Sequence, residues 1–276
     1  MLDQTRGLKV HLRTFDIHGR TLRVVTLRPQ YQVRFSTNYF HDTWHIISGP
    51  LGAHTMGRLM WGLAFQRHAG TMVLVDEPHL VSTPFDGDAA DPILIVPDGL
   101  TSVSDDDLRA LRLRLRRCPP SPTTIRWHTF GLPVALASRD PRSYAQVRRD
   151  HRAALCREQM SRRAGFVVYT APPVLLRENG ADISRMGGDN YHMLAESRAP
   201  GRWHHDGEFQ VIDDFDDRVS AARVVRRELL GGDHPHRRIA ETAEAWEIAD
   251  GAAGRVGYAK RERRAAATRS RSRSPS

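Results

Sequence analysis

Lysine is almost missing from this chain: Lys9 and Lys260 are lysines, and the other 39 of its 41 basic residues are arginines. Arginine suits bidentate contacts to phosphate. The arginines are spread along the whole length, however, which is the bias a G+C-rich genome produces, and they point to a high-GC bacterium. Cysteine is equally scarce. Cys118 and Cys156 stand far apart with no CxxC pair, which excludes a disulfide framework and a cysteine-rich zinc site. Both read as reduced thiols of the small, buried kind. No run approaches the roughly 18 apolar residues of a membrane span, and "MLDQTRGLKV" has no apolar core of leader type. A protein of the cytoplasm, without a membrane partner, is the expectation. GxSxG and HExxH are absent, as are an aromatic and basic RNA-binding motif and any internal repeat.

What charge there is sits unevenly. The chain carries +9 over 276 residues, and from Arg255 to Ser276 seven arginines and one lysine face Glu262 alone. That tail, "KRERRAAATRSRSRSPS", is too polar to pack and is expected to be disordered. Residues 8–230 are expected to form a single α/β domain, and 231–254 a loosely packed helical extension. The tail suggests one function class: a non-enzymatic accessory or interaction protein whose basic residues 255–276 contact nucleic acid or an acidic partner, without base specificity.

The fold class follows from periodicity. "LKVHLRTFDI" and "TLRVVTL" flank the turn-like His18-Gly19, and "YQVRF" alternates Tyr31, Val33 and Phe35 with polar residues, so three antiparallel strands are expected. "TWHIIS" reads as a fourth, more central strand. Met56, Leu59, Met60, Leu63 and Ala64 mark one face of a helix ending near His68 to Gly70, and "TMVLV" then reads as a buried strand. "PILIVP" follows as another strand. "SVSDDDLRALRLRLRR" is a helix with a capping-box spacing at Ser104 and Asp107, Asp replacing Glu, and with Leu108, Leu111 and Leu115 facing the core. "TTIRWHTF" and "GFVVYT" read as strands, with a long helix expected from Asp140-Pro141 through about Arg163. "EFQVID" and a helix over 216–230 complete an N-terminal antiparallel meander joined to a mixed, partly parallel sheet with flanking helices.

One stretch invites a ligand. "SGPLGAHTMGRL", residues 48–59, is glycine-rich and lies between a strand and a helix, where unpaired N–H groups and the helix dipole attract phosphate. Gly49, Gly52 and Gly57 do not make GxGxxG. "GAHTMGRL" approaches the phosphate-loop pattern, with Arg58 in place of lysine and Leu59 in place of the magnesium-binding hydroxyl, which rules out a working ATPase. A tight strand-to-helix turn is the competing structural account. The functional expectation is a phosphate-bearing, nucleotide-like small ligand held by Gly49, Gly52 and Gly57, with His54, Thr55 and Arg58 adding contacts and Asp76 meeting a sugar hydroxyl.

Two other groupings carry weaker signals. His41, His45 and His54 are placed so that they could approach one pocket. His204, His205, Asp206 and Glu208, with Asp213, Asp214, Asp216 and Asp217, could form a metal loop or a carboxylate site, although the aspartates also suit a helix start. No metal is expected. The sequence singles out no catalytic group and implies no cofactor.

Overall fold

The computed structural model describes residues 8–117, 119–138, 150–196 and 205–230. The expected extension and basic tail therefore lie outside the described residues, as do Cys118, His204 and the expected helix start at Asp140-Pro141. Eleven strands and six helices are described. In chain order they are β1 (Leu8–Ile17), β2 (Arg20–Leu27), β3 (Phe35–Phe40), β4 (Thr43–Ser48), α1 (Pro50–Leu63), β5 (Thr71–Val75), β6 (Ile93–Pro97), α2 (Asp105–Arg117) and β7 (Thr123–Trp127). Then come α3 (Leu132–Ser138), α4 (Arg152–Leu155), β8 (Gln159–Arg163), β9 (Phe166–Ala171), α5 (Pro173–Ile183), β10 (Asn190–Glu196), β11 (His205–Val211) and α6 (Phe215–Leu230).

Three hairpins set the local frame. β1–β2 turns at His18 and Gly19, β3–β4 at His41 and Asp42, and β8–β9 at Ala164 and Gly165, and in each pair both turn residues have positive φ. A type I′ turn requires that conformation, and its twist matches the right-handed twist of the paired strands. The strands assemble as a seven-stranded sheet, β7-β1-β2-β5-β6-β9-β8, and a four-stranded sheet, β10-β11-β4-β3. The pairs β2–β5, β6–β9 and β4–β11 are parallel and the rest antiparallel, so the mixed α/β class read from the sequence is the class observed.

Four local expectations are corrected. "YQVRF" has the alternating burial of a strand, but pairing begins only at Phe35, and β3 joins the second sheet rather than a meander with β1 and β2. The expected helix through Arg163 gives way to the short α4 and then to β8, because the Ala164-Gly165 turn folds Gln159–Arg163 back onto β9. Helix α1 stops at Leu63, with Gly70 at φ 77 leading into β5 instead of closing the helix. Cys156 is exposed, not buried.

Two apolar cores use the two faces of the larger sheet. Val10, Val25, Val73, Ile95 and Tyr169 pack with α1, α5 and residues of the second sheet such as Ile46 and Phe209. Phe15, Leu22, Met72, Leu94 and Val168 pack under Leu108 and Leu111 of α2. Helix α2 is fixed by the capping box its sequence announces: the Asp107 N–H donates to Ser104 Oγ at 3.1 Å, and the Ser104 N–H to Asp107 Oδ2 at 2.9 Å.

The chain divides into two compact units, Met1–Leu80 with Asp91–Asp213 and Val81–Ala90 with Asp214–Ser276. Both sheets belong to the first. In the second, α6 meets the 81–90 loop through an Arg226–Asp88 ion pair and an Arg223 Nε to Ser82 Oγ hydrogen bond of 2.9 Å. A Cβ at Gly87 would lie 2.9 Å from the Ala222 carbonyl oxygen, so this contact accepts only glycine.

Candidate functional site

The glycine-rich stretch is helix almost from its first residue. Gly49 is the N-cap, in extended conformation, and Pro50 occupies the first turn, where its missing N–H costs nothing. Gly52, Gly57 and Gly62 follow at five-residue steps, each about 140° further round the helix, so they open three different sides of α1. A Cβ at Gly52 would fall 1.7 Å from Ser48 Oγ, one at Gly57 2.3 Å from the Gly180 carbonyl oxygen, and one at Gly62 2.2 Å from Trp127 Nε1. Eleven of the fourteen residues of α1 are buried. The glycines thus let a strand end, helix α5 and a tryptophan reach the backbone of one central helix. His54 Nδ1 lies 3.4 Å from the Ser184 carbonyl, and the Thr55 hydroxyl donates to Leu51 O at 2.8 Å. Arg58 is buried near Tyr31, and burial lowers its pKa.

Asp76, the remaining residue of the expected set, sits elsewhere. It follows β5, on the sheet face opposite α1. The register carries a row across that face, Thr124 on β7, His11 on β1, Thr26 on β2 and Leu74 on β5. One step toward the strand end Lys9 pairs with Arg126, and Arg28 and Asp76 follow two residues beyond Thr26 and Leu74, past the ends of β2 and β5. Arg13 reaches over the same patch, its NH1 donating to Thr26 Oγ1 at 3.2 Å while its Nε, though buried, has no hydrogen-bond partner. Arg28 lies against Gln30, whose amide oxygen accepts from it. Burial, the largest influence, pushes the Asp76 carboxyl up to about 6, against the pull of Arg13 and His79. Among the described residues no cation pairs directly with it. Burial likewise lowers the His11 pKa, with Arg13 and Arg28 adding to the effect.

His79 anchors the turn beneath this patch. Its Nδ1 faces the Val33 carbonyl at 3.0 Å and its Nε2 the Arg28 carbonyl at 3.1 Å. The His79 and Leu80 N–H groups both donate to the Asp76 carbonyl. The chain from Asp76 to Leu80 is thereby tied to the 28–35 segment, and the carboxylate is held at the strand end. The acid was visible in "VLVDEP"; the cations were not, since only strand register brings Arg13 to act on it and Arg28 on His11.

Other polar groups resolve differently. His41 is a turn residue, and His45 lies on the face of β4 away from Ile46, its Nε2 3.2 Å from Glu208 Oε1 and its pKa lowered by burial to about 4. Of the three expected histidines, His41 acts on His45 across the β3–β4 hairpin, while His54 is held at the Ser184 carbonyl. Asp214 accepts from the Asp217 and Arg218 N–H groups through its carbonyl and starts α6, as the helix-start reading anticipates. Among the described residues no cluster of three or more His, Cys, Asp or Glu could hold a metal ion, and no helix is long and apolar enough to cross a membrane.

Sequence reasoning missed a buried polar network. Tyr169 donates to Glu158 Oε1 at 2.5 Å, Asn179 Nδ2 lies 3.0 Å from the same oxygen and 2.7 Å from the Tyr169 hydroxyl, and His192 Nε2 is 3.0 Å from Asn179 Oδ1. Its members come from four parts of the chain with no local signature. A groove of about 690 Å³ lies at the other end of the larger sheet, along His18, Arg20 and Ser102–Ser104. Its charges are already matched, since Asp107 accepts from both His18 and Arg20. At the strand-end patch, by contrast, Arg13, Arg28 and Asp76 make no ion pair with one another. No protein-family model matches the chain, and neither a curated protein nor a solved structure does.

Proposed function

We propose that this protein binds a phosphate-bearing small ligand, nucleotide-like in chemistry, at the strand-end patch of Arg13, Arg28 and Asp76. The observation that carries the reading is Arg13: a guanidinium with an unfilled Nε donor, fixed on Thr26 near a carboxylate on which it acts. A phosphate would take Arg13 and Arg28, with Lys9 and Arg126 raising the local anion concentration. The Asp76 carboxylate would accept from a sugar hydroxyl. Ligands of open α/β sheets commonly sit outside the carboxyl ends of parallel strands, and β2 and β5 are such a pair. Packing already takes Gly52, His54, Thr55, Gly57 and Arg58, which is why the proposed contacts leave the helix.

A panel of nucleotides and dinucleotides tested by thermal shift examines the proposal. At 100-fold excess over its dissociation constant a ligand stabilises the native state by about 2.7 kcal/mol. Arg13→Gln should abolish the shift and Arg109→Gln, on an exposed face of α2, should keep it. Absence of a shift with every compound, or equal shifts in both variants, would overturn the proposal.

A further inference from the structure

Resting on that reading, we propose that Asp76 determines the specificity of the strand-end site, turning away bare anions and admitting phosphate esters that bring hydroxyl donors of their own, which makes sugar phosphates and nucleotides the ligand class. Thr26, which holds Arg13 NH1, is in register with Leu74 across the parallel pair β2–β5. Asp76 lies two residues beyond Leu74, where Arg13 acts on its carboxyl. An anion seated on Arg13 lies beside the Asp76 carboxylate. An anion without donors meets a like charge there. An ester with a free hydroxyl meets an acceptor, and the repulsion is replaced by a charge-assisted hydrogen bond.

The surrounding groups sharpen the effect. Lys9, His11 and Arg13 face the site from β1, Arg28 from the end of β2, Arg126 from β7, and Glu77 and His79 from the turn that follows Asp76. The cations are enough to attract both kinds of ligand, so discrimination falls to the carboxylate. Burial holds the Asp76 pKa at about 6. Its protonated, non-repelling fraction therefore rises from about 3% at pH 7.5 to about 90% at pH 5, which sets the scale of the effect at roughly 30-fold.

Two probes of constant charge over that range separate the cases: sulfate, which has no donor, and NAD, a diphosphate diester with ribose hydroxyls. Calorimetric titration of the full chain should give sulfate affinity that rises about 30-fold from pH 7.5 to pH 5, and a much weaker dependence for NAD. Asp76→Asn should bind sulfate about 30-fold more tightly than wild type at pH 7.5 and retain only the shallow slope that His11 contributes. It should also bind NAD less tightly than wild type. Sulfate affinity that is flat with pH in the wild type, or unchanged or weaker in Asp76→Asn, overturns the discrimination while leaving the anion site in place. Failure of both probes to bind at either pH overturns the anion-site reading itself. The wild-type pH series decides the matter even where the variant does not fold.

Discussion

Glu158 and Asp76 are both carboxylates drawn out of water, and the protein treats them in opposite ways. Glu158 is 3% exposed and receives hydrogen bonds from Tyr169 and Asn179. Asp76 is half-buried, is given no cation within ion-pair distance among the described residues, and is left with a pKa near 6. A buried carboxylate that receives two donors joins separate elements into one structure: here the chain after α4, strand β9, helix α5 and strand β10. A half-buried carboxylate whose pKa burial raises costs stability at neutral pH, and such groups cluster at sites that a ligand completes. On the proposed reading the first region joins elements and the second receives a ligand.

The contrast makes graded predictions. Asn179→Ala strikes the filled network, leaving Glu158 and Tyr169 each short of a donor and His192 without its acceptor, and should cost on the order of 3 kcal/mol in urea unfolding. A loss below about 1 kcal/mol would mean that the network contributes little. Gly57→Ala tests the crossing of α1 and α5 that delivers Asn179. The new Cβ meets the Gly180 carbonyl and the Ser184 N–H, which are backbone and cannot swing aside, so about 2 kcal/mol should be lost.

The third change should act in the other direction. Asp76 has its folded pKa raised from 3.8 to about 6, so the folded state holds the proton more tightly. Its ionisation therefore lowers stability as pH rises from about 4 to 6, and the cost persists above that range. Asp76→Asn should be more stable than wild type at pH 7.5, by about 1–2 kcal/mol after allowance for partial exposure, and the difference should vanish near pH 3.5. A variant less stable than wild type at pH 7.5 would place Asp76 with Glu158 as a structural acid.

The smallest effect belongs to Asp107. Burial works to raise its pKa, but the Ser104 backbone, His18, the Ser104 hydroxyl and Arg20 outweigh burial and hold it below the usual range. Its contribution is thus present above the unfolded pKa and lost as pH falls through the folded value. Asp107→Ala should cost about 1 kcal/mol at pH 7 and nothing once the acid is protonated, measured by urea unfolding at the two pH values.

Legibility in the sequence followed the range of the interactions. The α2 capping box, the His18-Gly19 turn and the apolar face Met56, Leu59, Met60 and Leu63 are local, and each is where the sequence places it. Strand β8 was not legible, because "REQMSRR" is rich in good helix formers and only the pairing with β9 overrides that preference. The spacing of Gly52, Gly57 and Gly62 was visible but ambiguous, since a glycine that clears space for a ligand and one that clears space for Trp127 look alike until the neighbour is known. Arg13 is one among 39 arginines, and nothing short of the β1–β2–β5 register brings it to act on Asp76.

The account stands on the site lying at the strand end and not at the start of α1. Backbone amide shifts recorded while NAD is added to the full chain locate it directly. The prediction is that the responding amides fall at residues 9–13, 26–28 and 76–79, with 49–58 unmoved. Shifts concentrated at 49–58, with Arg13 and Asp76 silent, would contradict it.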